Sequence, residues 1–163
     1  MKKAFISVYT LIVLFIISLT ITYIYNQQKN SASYAKGLYE KKQAQYLAES
    51  VMNTFMEENS DQVAEIILKD YDENQNKKAA YDKLDTKIKY VYNEDKYWLR
   101  LSRINNDYRK EIDGLYLIHI HNGVKVGESK ADSEIYIKVF DKIDEKDEEF
   151  DKNRLRIEIR HTY

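Results

Sequence analysis

Three histidines are the residues whose type could do chemistry. His119 and His121 stand at i and i+2, the spacing that places two side chains on one face of a strand, and His161 lies near the chain's last residues. Three imidazoles could hold zinc if a carboxylate converged on them. Alternating strand positions beside a turn explain two of the three without a metal. The stretch "DKIDEKDEEFDKN", from Asp141 onward, is acidic enough to attract calcium, but it lacks the D-x-[DN]-x-[DN]-G order and the central glycine of an EF-hand. It reads as a solvated connector. The sequence has no G-x-S-x-G, no phosphate-cradling glycine loop and no H-E-x-x-H, and only four glycines in all. No catalytic, cofactor-binding or metal-binding residue is assigned, and the expectation is a protein that is not an enzyme and needs no cofactor.

Composition narrows the classes further. The formal net charge of −1 comes from 26 basic and 27 acidic residues and gives no direct nucleic-acid signal. With no cysteine, disulfides, thiol catalysis and Cys-ligated zinc are excluded together. Fifteen tyrosines could form an adhesive surface, although tyrosine also favours half-buried strands. The absence of proline leaves any helix free of proline kinks, and it also fits a compositional bias towards Lys, Asn, Ile and Tyr.

The elements that must position these residues come in two kinds. Between Lys3 and Lys29 there is no charge, and "FISVYTLIVLFIISLTITYIY", Phe5 to Tyr25, makes a helix of about 31 Å, matching a hydrocarbon core of about 30 Å. Its Ser and Thr hydroxyls can return to the helix backbone, and Tyr23 and Tyr25 sit where an interfacial aromatic belt belongs. Lys2 and Lys3 against Lys29 favour an N-terminus inside and a C-terminal domain outside the cytoplasm. A cleaved secretory signal would need a small-residue site that "ITYIYNQQKN" does not offer, so the anchor is expected to stay attached.

Beyond the anchor, residues 30–70 read as helix. Ala44, Leu47, Ala48, Val51, Met52 and Phe55 fall on one face, and Val63, Ile66, Ile67 and Leu68 restore the stripe after "EENSDQ". Asn59 or Ser60 could cap a new helix there, and Asp70 to Ala80 reads as a polar loop or helix end. Glu40, Glu49 and Glu57 form its wet side. The period then changes to two. "TKIKYVYNEDKYWLRLSRI" is a hairpin about Asn93–Asp95, and "GLYLIHIHNGVKVGES" is expected to be a second, turning at Asn122-Gly123. "SEIYIKVFDKI" and "NRLRIEIRHTY" bring the strands to about six, within 86–161. The fold class is α+β: a long N-terminal helix, lipid-embedded in its lower half and amphipathic in its upper half, packed on a C-terminal antiparallel sheet.

A basic leader, an uncharged helix of about twenty residues continuing into an amphipathic one, and a C-terminal sheet together resemble the bacterial type IV pilin and pseudopilin family. Within it, "QAQYLAES" is similar to a stretch of the PilX-like minor pilins, through Gln43, Ala44, Tyr46, Leu47, Ala48, Glu49 and Ser50. The resemblance covers Lys2 to Asn53 and implies a leader of residues 1–4, a transmembrane and assembly helix of residues 5–29 and an extracytoplasmic domain of residues 30–163. It implies processing by a prepilin peptidase at Ala4–Phe5, where the family usually has glycine before the cut. Assembly contacts would fall on Phe5, Tyr9, Leu11, Leu14 and Leu19, with other pilin subunits, the pilus assembly platform and membrane lipid as partners. The fifth mature residue is usually Glu in the family and is Tyr9 here, which implies a minor, tip-proximal subunit. The location implied is the inner membrane, then a cell-surface or periplasmic filament serving as a pilus, a secretion device or a DNA-uptake device. The alternative is a permanently signal-anchored extracytoplasmic interaction or sensor domain.

Overall fold

The computed structural model describes the backbone of residues 2–74, 84–104, 116–140 and 152–163, and the side chains of these except 2–5, 74, 116 and 152. The chain divides into two compact units, Met1–Glu40 and Lys41–Tyr163. Helix α1 spans Lys2–Asn74, with Asn59 alone outside helical dihedrals (φ −120°, ψ 19°).

In the first unit residues 6–25 are almost wholly apolar on every side and exposed: Leu11 is 69%, Phe15 62% and Ile21 62% accessible. A helix hydrophobic all round is stable only in an apolar medium. This one is long and apolar enough to cross a membrane. Its polar side chains fit that setting, because Thr10, Thr20 and Thr22 each donate to the carbonyl four residues back at 2.9 Å.

In the second unit the same type of pattern becomes one-sided. Ala44, Ala48, Val51, Met52, Phe55, Val63, Ala64, Ile67, Leu68 and Tyr71 are buried, and the stripe covers one face of a sheet. The buried positions recur at three- and four-residue spacings, 44, 48, 51, 52 and 55 and then 63, 64, 67, 68 and 71, with the break at Asn59 between the two runs. The Asn59 amide donates to the Phe55 carbonyl at 3.1 Å, supplying the bend with a side-chain partner. The helix runs on past Leu68 to Asn74 because Asp70 and Asp72 are clamped: Arg103 forks onto Asp70, and Arg154 onto Asp72 at 2.8 and 3.2 Å. The polar stretch expected from Asp70 therefore begins as helix, and residues 75–83 lie outside the described ones.

The sheet is an antiparallel meander, β1 (Asp85–Tyr92), β2 (Asp95–Arg103), β3 (Tyr116–Val126), β4 (Ser129–Val139) and β5 (Leu155–Thr162), in that spatial order. A 3-10 turn, Lys152–Arg154, leads into β5. Ile88 and Tyr90, Leu99 and Leu101, Ile118 and Ile120, and Ile135 and Ile137 alternate onto the helix-facing side, while Lys and His residues alternate outward. Phe55 meets Tyr90 edge-on at 5.4 Å, and the Tyr90 hydroxyl donates to Glu58 at 2.7 Å.

The first hairpin turns at Asn93–Glu94, both with positive φ. The second does not turn at Asn122-Gly123. Those residues lie inside β3, opposite Ser133 and Asp132, and the turn falls at Gly127–Glu128, where Gly127 takes φ 58°. Tertiary packing overrides the local signal: Asn122 is fully buried and donates its amide to the Ala48 carbonyl at 3.3 Å. Since the expected hairpin is one long strand, five strands are described where six were expected.

Candidate functional site

The side of the sheet away from α1 gathers the histidines. One register row crosses that face from edge to edge: Lys87 opposes Arg100, Arg100 opposes His121, His121 opposes Glu134, and Glu134 opposes His161. His119, two residues before His121, lies flat on Tyr136 with ring centres 4.8 Å apart. It is half-buried, and its Nε2 comes within 3.3 Å of Glu134, close enough for an ion pair but off the angle of a hydrogen bond. His121 Nε2 meets Asp132 at 3.0 Å. Gly123 makes room for that contact, since a Cβ there would stand 2.8 Å from the Asp132 carboxylate.

Glu134 is the hub. It accepts from the Tyr136 hydroxyl at 2.9 Å and from the Tyr163 hydroxyl at 2.7 Å. Burial pushes this carboxyl up, but the hydroxyls of Tyr163 and Tyr136 and the neighbouring His119 outweigh it, and the net result lies below the usual carboxylate range. The same bond to Glu134, helped by burial, pushes Tyr163 up to about 12. Burial lowers His119 below an ordinary histidine, against the pull of Glu134. The arrangement can hold and release a proton at His119.

The structure thus brings His119 and His121 together but joins each to its own carboxylate. His161 stacks instead beside Tyr163, with ring centres 5.0 Å apart. Among the described residues no group of three metal-ligating side chains converges. Asp132 and Glu134, which sequence reasoning passed over, carry the same i, i+2 signal as the histidines they meet. The acidic connector, residues 141–151, lies outside the described residues.

Of the residues assigned to assembly, Tyr9, Leu11, Leu14 and Leu19 are all exposed, at 63, 69, 61 and 54%. The side chains of Ala4 and Phe5 lie outside the described residues. The stretch from Gln43 to Ser50 divides by face. Ala44 and Ala48 are fully buried against Val124 and Ala131, with Leu47 packed beside them, whereas Gln43, Tyr46 and Glu49 are exposed and Ser50 is half-buried. The two alanines let helix and sheet approach closely enough for the Asn122 bond.

Comparison with protein-family models, curated proteins and solved structures finds no match to this chain.

Proposed function

We propose that this protein is a minor pilin or pseudopilin, a structural subunit of a type IV pilus-like, secretion or DNA-uptake filament. The single observation that supports this most is the composition of α1. One helix holds a membrane-length segment exposed on all sides and a stripe that carries an antiparallel sheet. An apolar helix that leaves lipid must enter another apolar setting, and a bundle of related anchors supplies one. In this reading the precursor is inserted with its N-terminus inside, cut by a prepilin peptidase at Ala4–Phe5, and packed through Phe5, Tyr9, Leu11, Leu14 and Leu19. A buried carboxylate at the fifth mature position would need a partner amine in apolar surroundings. Tyr9 carries no such demand, which favours a subunit near the tip.

The same residue supports a second reading, a permanently anchored extracytoplasmic interaction or sensor domain. Sequencing the mature N-terminus after expression with and without a prepilin peptidase separates the two. A new terminus at Phe5 that depends on the peptidase is the expected result. A terminus left intact in both cases overturns the filament reading.

A further inference from the structure

The two edges of the sheet differ. Edge β5 carries both charge signs, Arg156, Glu158 and Arg160, and its pairing with β4 is interrupted by a register shift at Tyr136/Ile137. Such a bulge spoils an edge for further pairing. Edge β1 pairs with β2 residue for residue over its whole length, Asp85 to Tyr92, with no shift. Among the described residues no strand lies along its outer side.

The outward charges of this edge are Asp85, Lys87 and Lys89, two of the three basic. Lys87 and Lys89 are exposed on the outward face, and Lys87 stands directly opposite another cation, Arg100. Like charges facing each other across strands destabilise a sheet. The neighbouring carboxylate, Asp85, is taken up by Arg100 through two bonds of 2.6 and 2.8 Å. Lys87 still acts on Asp85 at longer range, and Lys89 stands opposite Trp98, which with Val91 is exposed, at 59 and 55%. On the helix-facing side the same strand presents a half-buried rim, Ile88 and Tyr92, packed at the margin of the core.

We propose that the outer edge of β1 takes an extended acidic peptide as an added strand. The spacing fits: alternate residues of a strand stand about 6.8 Å apart, so carboxylates at every second position fall opposite Lys87 and Lys89. The intervening residues, if apolar, extend the core past Ile88 and Tyr92. Backbone hydrogen bonds supply attachment and the lysines supply selection. The lysines also repel the β1 edge of a second copy, so they act as a guard against self-pairing and as a filter for an acidic strand. The proposal rests on the Lys41–Tyr163 unit and stands whether or not the leader is processed.

The test uses the full chain in neutral detergent micelles and a labelled nine-residue peptide alternating glutamate with valine. Binding is read by fluorescence anisotropy, and backbone hydrogen exchange locates it. The expected result is saturable binding, slowed exchange within 85–92 but not 155–162, and at least tenfold weaker binding of a lysine–valine peptide. The double variant Lys87→Glu/Lys89→Glu, confirmed folded by circular dichroism, should reverse that preference. No binding, equal binding of both peptides, or unchanged exchange along β1 overturns the proposal. Equally tight binding of an oligothymidylate, competing with the peptide, also overturns it and leaves a general polyanion surface.

Discussion

Two stretches of one helix carry much the same residues to opposite ends. Residues 6–25 and residues 44–71 are both rich in Leu, Ile, Val, Phe and Tyr, yet the first stretch is exposed on every side and the second buries a single stripe. What separates them is the spacing of the polar residues. With no charge in a whole membrane length, no face of the first stretch is fit for water. In the second, Glu49, Asn53, Glu57 and Glu65 return at helical intervals, so one side is wetted and the other must find the sheet. Amount of apolar surface does not fix its destination; its angular distribution does.

The sharpest way to break this comparison is to truncate one large side chain in each stretch. Phe55 is fully buried against Tyr90, and Phe55→Ala should cost the Lys41–Tyr163 unit about 3–5 kcal/mol. Leu14→Ala, in the same protein and detergent, should leave that unit's denaturant midpoint unchanged, because Leu14 is 61% exposed. A large loss from Leu14→Ala, read as fluorescence of the single tryptophan against denaturant, would refute the division of labour.

Next in size is the clamp at the helix end. Arg154 is buried, donates to the Phe140 carbonyl at 3.1 Å and holds Asp72, while lying over the Tyr71 ring. Removing the guanidinium takes two hydrogen bonds and a charge partner from a partly buried carboxylate, so Arg154→Ala should cost about 3 kcal/mol, the low end for such pairs because Asp72 keeps some water. Exchange of the last turn, residues 70–74, should accelerate before the rest of the helix. If those amides stay as protected as their neighbours, the clamp is not what carries the helix past Leu68.

Smaller, and opposite in sign, is a repair at the first hairpin. Glu94 sits at φ 68°, a conformation that costs a residue with a Cβ about 1 kcal/mol or more and a glycine little. Glu94→Gly should therefore raise the unfolding free energy by about 1 kcal/mol. Gly127→Ala, at φ 58° in the other turn, should lower it by a similar amount, and both follow from thermal melts.

These turns also show what was legible in the sequence. The membrane-length segment, the stripe on the helix and the period-two strands all declared themselves, because each is a local pattern repeated many times. The second turn was misplaced because Asn122-Gly123 satisfies every local rule for a hairpin. What excludes it is a bond to Ala48, 74 residues away, which no window along the chain contains. The candidate site was half legible for the same reason: His119 and His121 stood out, but Asp132 and Glu134 become their partners only once β3 and β4 are laid in register.

The finest contrast lies between the two faces of the sheet, one packed on the helix through Ile, Leu and Val and one built on His119 and Glu134. His119 is lowered from 6.5, so the fold prefers its neutral form. The stability linked to it is full above pH 6.5 and falls as pH drops through that value towards the lowered one. Glu134 is lowered from 4.5, so its contribution is present above pH 4.5 and is lost on further acidification. Both losses run the same way, His119 first, so melting temperature should decline in two steps as pH falls from 7.5 to 3.5. His119→Gln, which cannot titrate, should flatten the first step, while Glu134→Gln, which removes the pull that raises His119, should deepen the first step and flatten the second. A first step that survives His119→Gln would place the acid sensitivity elsewhere, and imidazole chemical shifts followed over the same range would say at which histidine.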